Sequence, residues 1–324
     1  MAQKYTSLTL TVAQRNDIKA LCRRNNYRGF IAIAIDFLWI GAACALTLCL
    51  HPLMYPLSML VIGARQRALA SLFHDASHGT LFKSKLLNKT VSRVLCGWPI
   101  MQSMRAYRQS HVIAHHTRLG DADHDPDYRE LKSAGVYGTH RGPVFFRRFV
   151  LSVLWGRMTL RYVKSLILSR LSFSLRPGKA QAESWLIPSL HVLVAAIAYM
   201  QEWLTILLFL WWIPLVVVYP VIGWLSELSE HYPFMEAPDD WCFSARNRYA
   251  CWFERLFIGM HGDSFHLTHH LLPGVPHWNL AAATETLRTD IIFAKWDDRW
   301  GGIFSSDRPD RMAFIDFVST SGRP

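Results

Sequence analysis

The chain has 324 residues, of which 51% are hydrophobic and 13% aromatic, and it carries a formal net charge of +11. Its mean hydropathy is nevertheless positive, which is unusual for a soluble protein this basic and makes a membrane the first environment to consider. The six cysteines show no paired spacing, which argues against a disulfide framework and a cysteine-based zinc motif. The polar and basic N-terminus lacks an early apolar core, so we do not expect a cleavable signal peptide.

Four segments are apolar enough to cross a bilayer, which takes about 20 residues in a helix. They are residues 30–50, 53–73, 185–200 and 203–225. The first contains Asp36, and the second is apolar until Arg65 and Arg67. A buried helix of a soluble core could mimic one such segment, but four of them predict a membrane protein.

Positive charge is distributed unevenly around these segments. The connectors 51–52 and 201–202 contain no Lys or Arg, whereas the N-terminus, the long middle loop and the C-terminal region contain many. The positive-inside rule therefore places both termini and the middle loop in the cytosol. We predict an all-α integral membrane protein with four transmembrane helices in two hairpins and a cytosolic helical cap. The predicted regions of this single catalytic domain are a cytosolic segment (1–29), a first hairpin (30–73), cytosolic and interfacial helices (74–184), a second hairpin (185–225) and a cytosolic region (226–324).

The middle loop contains a basic amphipathic stretch at 143–176, with seven cations and no acidic residue. This pattern is typical of one or two helices that lie in the membrane interface. Nucleic acid is the other common partner of a basic helix, and the neighbouring apolar segments argue against it.

Nine of the 15 histidines form clusters that lie next to the predicted cytosolic ends of the spans. They are His74, His78, His111, His115, His116, His231, His266, His269 and His270. A single cluster could be a polar patch, but neutral imidazole is also the commonest metal ligand. Nine imidazoles exceed the needs of one metal and suit two metals with four or five nitrogen ligands each. Imidazole accepts zinc, copper, iron or nickel, so the ligand type does not identify the metal.

The histidine motifs "HDASH", "HVIAHH" and "HLTHH", in this order, resemble those of the membrane fatty acid desaturase family. The sequences "DADHDPD" after the second motif and "HHLLPGVPHWNL" around the third resemble that family and its carotenoid ketolase relatives. The resemblance implies that the nine histidines bind two non-haem iron ions, which activate O2 as co-substrate. His231 resembles an additional ligand of the stearoyl desaturases. Glu227 stands where those enzymes have Asn, which leaves open whether it binds iron directly, through water or not at all.

Metal-binding histidines usually donate their second N–H to a carboxylate or carbonyl. The candidates for this supporting role are Asp75, Asp123, Asp125, Asp127, Glu230 and Asp263. For the "DADHDPD" stretch, a solvated acidic loop or a calcium-like cluster is the alternative. Arg67 lies two helical turns before His74, so it is a candidate anchor for a substrate anion or partner for an acidic residue, unless it only reaches the headgroups. Asp36 is a possible partner for Arg65 or Arg67.

We expect an O2-dependent desaturase that introduces a C=C bond into an acyl chain or a similar amphiphile. A hydroxylase or ketolase with the same irons is the alternative, and so is a desaturase of a small amino-acid-derived natural product such as dihydrorhizobitoxine. A zinc-binding membrane receptor or transporter is the non-enzymatic alternative. The sequence contains no haem-binding His-Pro-Gly-Gly signature and no iron–sulfur cysteine pattern. We therefore expect an external electron donor, of the ferredoxin or cytochrome b5 type with its reductase, in addition to the lipid bilayer.

Overall fold

The computed structural model describes residues 8, 10–154, 156–170, 182–236 and 243–320. Within these residues the regular structure is helical, with two isolated β-bridges and no strand. The helices are α1 (Val12–Leu21), α2 (Arg28–Leu50), α3 (Tyr55–His78), α4 (Lys85–Val91), α5 (Met104–Tyr107), α6 (Pro126–Ala134), α7 (Gly142–Phe145), α8 (Arg157–Arg170), α9 (Ala182–Met200), α10 (Leu204–His231), α11 (Trp252–Phe257), α12 (His266–Leu271), α13 (Leu280–Leu287), α14 (Ile291–Asp297) and α15 (Phe314–Thr320). Stretches of π-helix extend α4 (Ser92–Gly97), α5 (Arg108–His115) and α7 (Phe146–Val150).

Three of the described helices, α2, α9 and α10, are long and apolar enough to cross a membrane. They correspond to the predicted first, third and fourth spans. The predicted second span is also a helix, α3, but its mean hydropathy is too low for it to count as a membrane span by length and composition. The reason lies in its middle, where Arg65, Gln66 and Arg67 follow one another.

Helix α3 is the central element of the fold, because α2 and α10 both pack against it. Its side chains Ile62, Leu69 and Phe73 have no exposed surface. At Gly63 the α10 helix approaches so closely that a Cβ atom would overlap the side chain of Val218. The positions of the histidines at the ends of α3 and α10 are therefore fixed by direct packing between the two helices.

The outer faces of α2 and α9 expose large apolar side chains. On α2, Leu38 is 72% exposed and Trp39 is 46% exposed, and on α9 Val192 is 69% exposed. Faces of this kind are unfavourable in water and favourable in hydrocarbon, which supports a membrane location. The basic stretch of the middle loop forms α7 and α8, as expected for two helices, and its last residues, 171–176, lie outside the described part of the chain.

Candidate metal centre

The first histidine motif lies at the C-terminal end of α3. His74 and His78 are four residues apart, so an α-helix presents both on one face. The helix ends directly afterwards, because Gly79 adopts a left-handed conformation with φ of 79°. This conformation is easily reached by glycine and terminates many helices.

The second motif lies on π-helix rather than α-helix. The His116 N–H donates to the His111 carbonyl, which is the hydrogen bond to the fifth preceding residue that defines a π-turn. This wider turn brings His111 and His116 together, with their Nε2 atoms 3.1 Å apart. His115 faces a different set of histidines.

The third motif occupies the short helix α12, where His266, His269 and His270 are all buried. Asn247, a buried residue that is not part of this helix, fixes its position. The side-chain oxygen of Asn247 accepts from the Thr268 N–H at 3.1 Å, and its side-chain NH2 donates to Asp297 at 2.8 Å. His231, the last residue of α10, lies against it.

The nine predicted histidines gather into two adjoining groups. The five-histidine group consists of His74, His78, His111, His116 and His269. The four-histidine group consists of His115, His231, His266 and His270. Within each group one nitrogen of every ring lies within 4.8 Å of those of all the others. The rings of His116 and His270 are stacked with centroids 4.3 Å apart, so the two groups share a wall.

Two rings of the four-histidine group, those of His231 and His266, have their Nδ1 atoms next to oxygen acceptors. His231 Nδ1 lies 3.3 Å from the Ser244 carbonyl oxygen, and His266 Nδ1 lies 3.5 Å from a Glu230 carboxylate oxygen. Burial, with neighbouring imidazoles second, holds the pKa of His266 well below its ordinary value, so the ring is neutral. The Nε2 atoms of His231 and His266 are 2.9 Å apart, and the tautomer that carries the proton on Nδ1 in both rings directs both Nε2 lone pairs at each other.

Two lone pairs at this distance repel each other unless a cation lies between them. Nitrogen ligands about 2.1 Å from a metal are about 3 Å apart when their bonds meet near right angles. The Nε2 pairs of the five-histidine group fall in the same range, since His74 and His111 are 2.9 Å apart and His116 and His269 are 3.2 Å apart. Both groups therefore have the donor atoms and spacing that a pair of metal ions requires.

Two of the predicted supporting carboxylates contact the second motif. Asp125 is fully buried; its carboxylate accepts from His115 Nδ1 at 3.0 Å and from the Gly120, Asp127 and Tyr128 N–H groups. Asp127 lies 3.5 Å from His115 Nδ1 as well. Burial disfavours the charged ring, but the two carboxylates outweigh it and raise the pKa of His115 to about 9.

Two further predicted carboxylates, those of Asp263 and Glu230, belong to a buried ionic network. Asp263 accepts from Arg67 at 3.1 Å and from Arg248 at 2.8 Å, and Arg248 also donates to Glu230 at 2.6 Å. Arg67 is therefore the partner of an acidic residue, one of the roles expected for it. Arg248, which no sequence motif indicated, binds both carboxylates. It therefore fixes the orientation of the Glu230 carboxylate next to His266.

Three predicted site residues are not brought into the histidine groups. Asp75 accepts from the Nδ1 atom of His277 at 2.8 Å, and so holds the loop after α12 instead of a clustered ring. Asp123 is exposed, and its described hydrogen bonds use backbone atoms. Glu227 accepts from the Tyr162 hydroxyl at 3.2 Å, and its carboxylate is not part of either group of clustered donor atoms.

A cavity of about 70 Å³ lies against the histidines. Rings of both groups line it, together with Arg67 and four carboxylates. Gln102, Tyr162 and Tyr219 are among the other residues of its wall, and sequence reasoning missed all three because they belong to no motif. A substrate in this cavity would lie directly beside the clustered imidazole nitrogens.

Comparison with known proteins agrees with the geometry. The family model described as fatty acid desaturase matches residues 50–297, a range that includes all nine clustered histidines. The dihydrorhizobitoxine desaturase of Bradyrhizobium elkanii is 35% identical over 292 residues, which cover 87% of this chain and 81% of the relative. An sn-1 acyl-lipid omega-3 desaturase (ferredoxin) of Synechocystis sp. is 26% identical over 78% of this chain and 73% of its own length. A desaturase of the same description from Nostoc sp. is also 26% identical, again over 78% of this chain and 73% of its own length.

The match covers most of the chain and contains the complete set of clustered histidines, and the first relative is similar over 81% of its length. The all-helical fold and the apolar helices agree with a membrane enzyme of this kind. This chain therefore belongs to the fatty acid desaturase family and is an oxidoreductase.

Proposed function

We propose that the nine clustered histidines hold two iron ions and that the enzyme uses O2 to remove two hydrogens from adjacent carbons of its substrate. The observation that carries the proposal is the division of the imidazole nitrogens into two adjoining groups of five and four. Bound iron would supply the oxidising power, which no acid or base side chain has for an unactivated C–H bond. Two electrons and two protons from outside complete the balance, so each O2 leaves as two water molecules.

The protein's own residues orient the ligands. Asp125 and Asp127 hold His115 through its Nδ1 atom, and Glu230 faces Nδ1 of His266, so the Nε2 atoms of these rings point into the group. Such contacts fix the tautomer and ring orientation of a metal ligand. Glu227, four residues before His231, supports the site from the cavity side, either through water on a metal or through the substrate.

Two substrate classes come from the relatives. A small amino-acid-derived compound corresponds to the relative with the higher identity, and an acyl chain or similar amphiphile corresponds to the acyl-lipid desaturases. The apolar cavity of about 140 Å³ beside Tyr219 favours some alkyl character in the substrate. A hydroxylase or ketolase would use the same ligands and differ in the step after the first hydrogen is removed.

For the topology we propose four spans in two hairpins (30–73 and 185–225), with the termini and the metal centre on the cytosolic side. The charge pattern of the sequence and the grouping of the histidines at the ends of α3 and α10 support this arrangement.

For electrons we propose a soluble acidic donor, such as a ferredoxin with its reductase, which would meet the basic cytosolic surface around Arg147, Arg148 and Arg161. Raised salt should slow donor-dependent turnover, because exposed charges are screened within about 8 Å at physiological ionic strength. A rate independent of salt would contradict a charged docking surface.

The test is expression of the full chain with a ferredoxin and its reductase, followed by mass spectrometry of lipid and polar extracts. A product two mass units lighter than its precursor indicates desaturation, whereas a gain of 16 or 14 units indicates hydroxylation or ketone formation. Purified protein should contain two iron ions per chain. Zinc without O2-dependent turnover would refute the proposal.

A further inference from the structure

Helix α12, which carries the third histidine motif, depends on the rest of the protein for its position. It has only six residues, and its N-cap residue Phe265 makes no side-chain capping hydrogen bond. The N–H groups of a first helical turn need acceptors from elsewhere. Asn247 Oδ1 is such an acceptor, since it accepts from the Thr268 N–H at 3.1 Å. Thr268 lies about 200° around the helix from His266, so Asn247 holds α12 from the side opposite the histidines.

The side chain of Asn247 is fully buried and can adopt only one orientation. Its Nδ2 atom donates to Asp297 Oδ1 at 2.8 Å and to Thr268 Oγ1 at 3.1 Å. A carboxylate only accepts and a peptide N–H only donates, so these two neighbours decide where the oxygen and the NH2 of the amide lie. Rotation of the amide by 180° would place oxygen against the carboxylate and NH2 against the Thr268 N–H.

Asp297 is itself held on its other side. It is the last residue of α14 and has no exposed surface. Its Oδ2 atom accepts from the Tyr249 hydroxyl at 2.6 Å and from Arg288 Nη1 at 2.7 Å. Arg288 also binds Asp298, whose side chain is 40% exposed. The hydrogen bonds therefore run without a break from the surface of the C-terminal region to the backbone of α12.

Helix α12 contributes to both groups of clustered histidines. His269 belongs to the five-histidine group, whereas His266 and His270 belong to the four-histidine group. By contrast, α3 contributes only to the first group and α10 only to the second. A displacement of α12 would therefore move nitrogen atoms of both groups at once.

We propose that Asn247 and Asp297 are positioning residues for both metal ions. Asp297 sets the orientation of the Asn247 amide, and this amide sets the position of α12 through the Thr268 N–H. The proposal rests on the proposed function, because it takes the clustered histidines to be the iron ligands. It differs from the support that Asp125 gives, since Asp125 contacts one ring of one group. Disruption of the Asn247–Asp297 pair should affect two ions instead of one.

Two substitutions that preserve side-chain size test the pair. In Asp297→Asn the Arg288 guanidinium retains the only acceptor, so the new NH2 group faces Asn247 and the Asn247 amide must turn its oxygen away from α12. In Asn247→Asp two carboxylates face each other at the 2.8 Å contact. Each variant should bind both iron ions about tenfold more weakly or worse. The combined variant has one donor and one acceptor at the contact again, and it should recover most of the lost affinity.

Affinity is measured on the purified full chain in detergent, stripped of metal and titrated with Fe²⁺ in the absence of O2 against a competing chelator. A second titration uses Co²⁺, whose visible absorption depends on the arrangement of its ligands. Asp298→Asn is the matched control, because it removes the neighbouring carboxylate from the same Arg288 and leaves the Asn247–Asp297 contact in place. The control should keep the wild-type affinity for both ions and the wild-type Co²⁺ spectrum.

The inference would be overturned by wild-type affinity in either single variant, by loss of one ion only, or by a loss no greater than that of the control. A combined variant that binds iron no better than the single variants would also contradict it. A purely structural role would lower the unfolding temperature of the metal-free chain and leave the affinity of the folded chain unchanged, which is again a negative result. The proposed function fails in a different sample, because the wild-type chain would then hold fewer than two iron ions.

Discussion

Replacing Asp125 by Asn tests whether a buried carboxylate controls metal binding by the four-histidine group. The carboxylate accepts four hydrogen bonds, from His115 Nδ1 and from three backbone N–H groups, and it has no exposed surface. Asn is also a good N-cap, so α6 should still form. However, one of its two side-chain positions becomes an NH2 group, which cannot accept and must face a donor. Loss of a hydrogen bond to a charged group costs about 1.5–3 kcal/mol.

Loss of such a supporting contact typically weakens metal affinity by about 10–100-fold. We expect Asp125→Asn to lower the affinity for one of the two iron ions by this factor, about 1.4–2.7 kcal/mol. The assay is metal content after dialysis against a graded series of chelator concentrations. Asp123→Asn is the matched control, because Asp123 is exposed and contributes backbone atoms alone to the described hydrogen bonds. Equal iron retention in both variants, or equal loss, would refute the role assigned to Asp125.

Three further substitutions test the site and its support. His269→Ala should remove iron from the five-histidine group and abolish O2-dependent product, as measured by metal analysis and mass spectrometry; a fully active variant would contradict the grouping. Gly97→Ala should destabilise the protein by about 1–3 kcal/mol, because the new Cβ would overlap the Phe73 ring, whereas Gly41→Ala, with open space around it, should not. Arg248→Ala should cost about 3–5 kcal/mol in thermal unfolding, since it leaves two buried carboxylates without their shared guanidinium. An unchanged unfolding temperature in Gly97→Ala would show that the close approach of the Phe73 ring is not needed for stability. An unchanged unfolding temperature in Arg248→Ala would show the same for its ion pairs.

The histidine clusters were predictable because each motif puts several imidazoles within one or two helical turns. The detailed grouping was not, since it depends on a π-turn. The π-turn brings His111 Nε2 to 3.1 Å from His116 Nε2, while the ring of His111 still stacks on that of His115 with centroids 5.1 Å apart. The sequence around these residues carries no signal for this wider turn that differs from an ordinary helix.

The supporting residues were predicted less well, for a related geometric reason. Asp75 follows His74 by one position and is therefore rotated by about 100° around the helix, toward His277. Asp125 was found because it belongs to the acidic stretch that follows the second motif, and in the structure it also caps α6. Arg248 was missed because its partners lie 15 and 18 positions away in the chain, and only the fold brings them together.

The charged side chains of α3 bear on whether this helix crosses the bilayer. Arg65 contacts Asp36 on α2 at 3.3 Å, and Arg67 contacts Asp263, so both cations have carboxylate partners inside the protein. Charged groups within a membrane are tolerated when they face the bundle interior and pair with each other. A helix of 24 residues is about 36 Å long, which is enough for a hydrocarbon core of about 30 Å.

We therefore expect α3 to cross the membrane, although its composition alone argues otherwise. In a cysteine-free background, His51→Cys and Lys83→Cys place one thiol before and one after the helix, and both positions are exposed. A membrane-impermeant maleimide should label the first in intact cells and the second only after the cells are permeabilised. Labelling of both cysteines from the same side would mean that both ends of α3 lie on one side of the membrane. The ion pairs of Arg65 and Arg67 would then not be needed to bury charge within the bilayer.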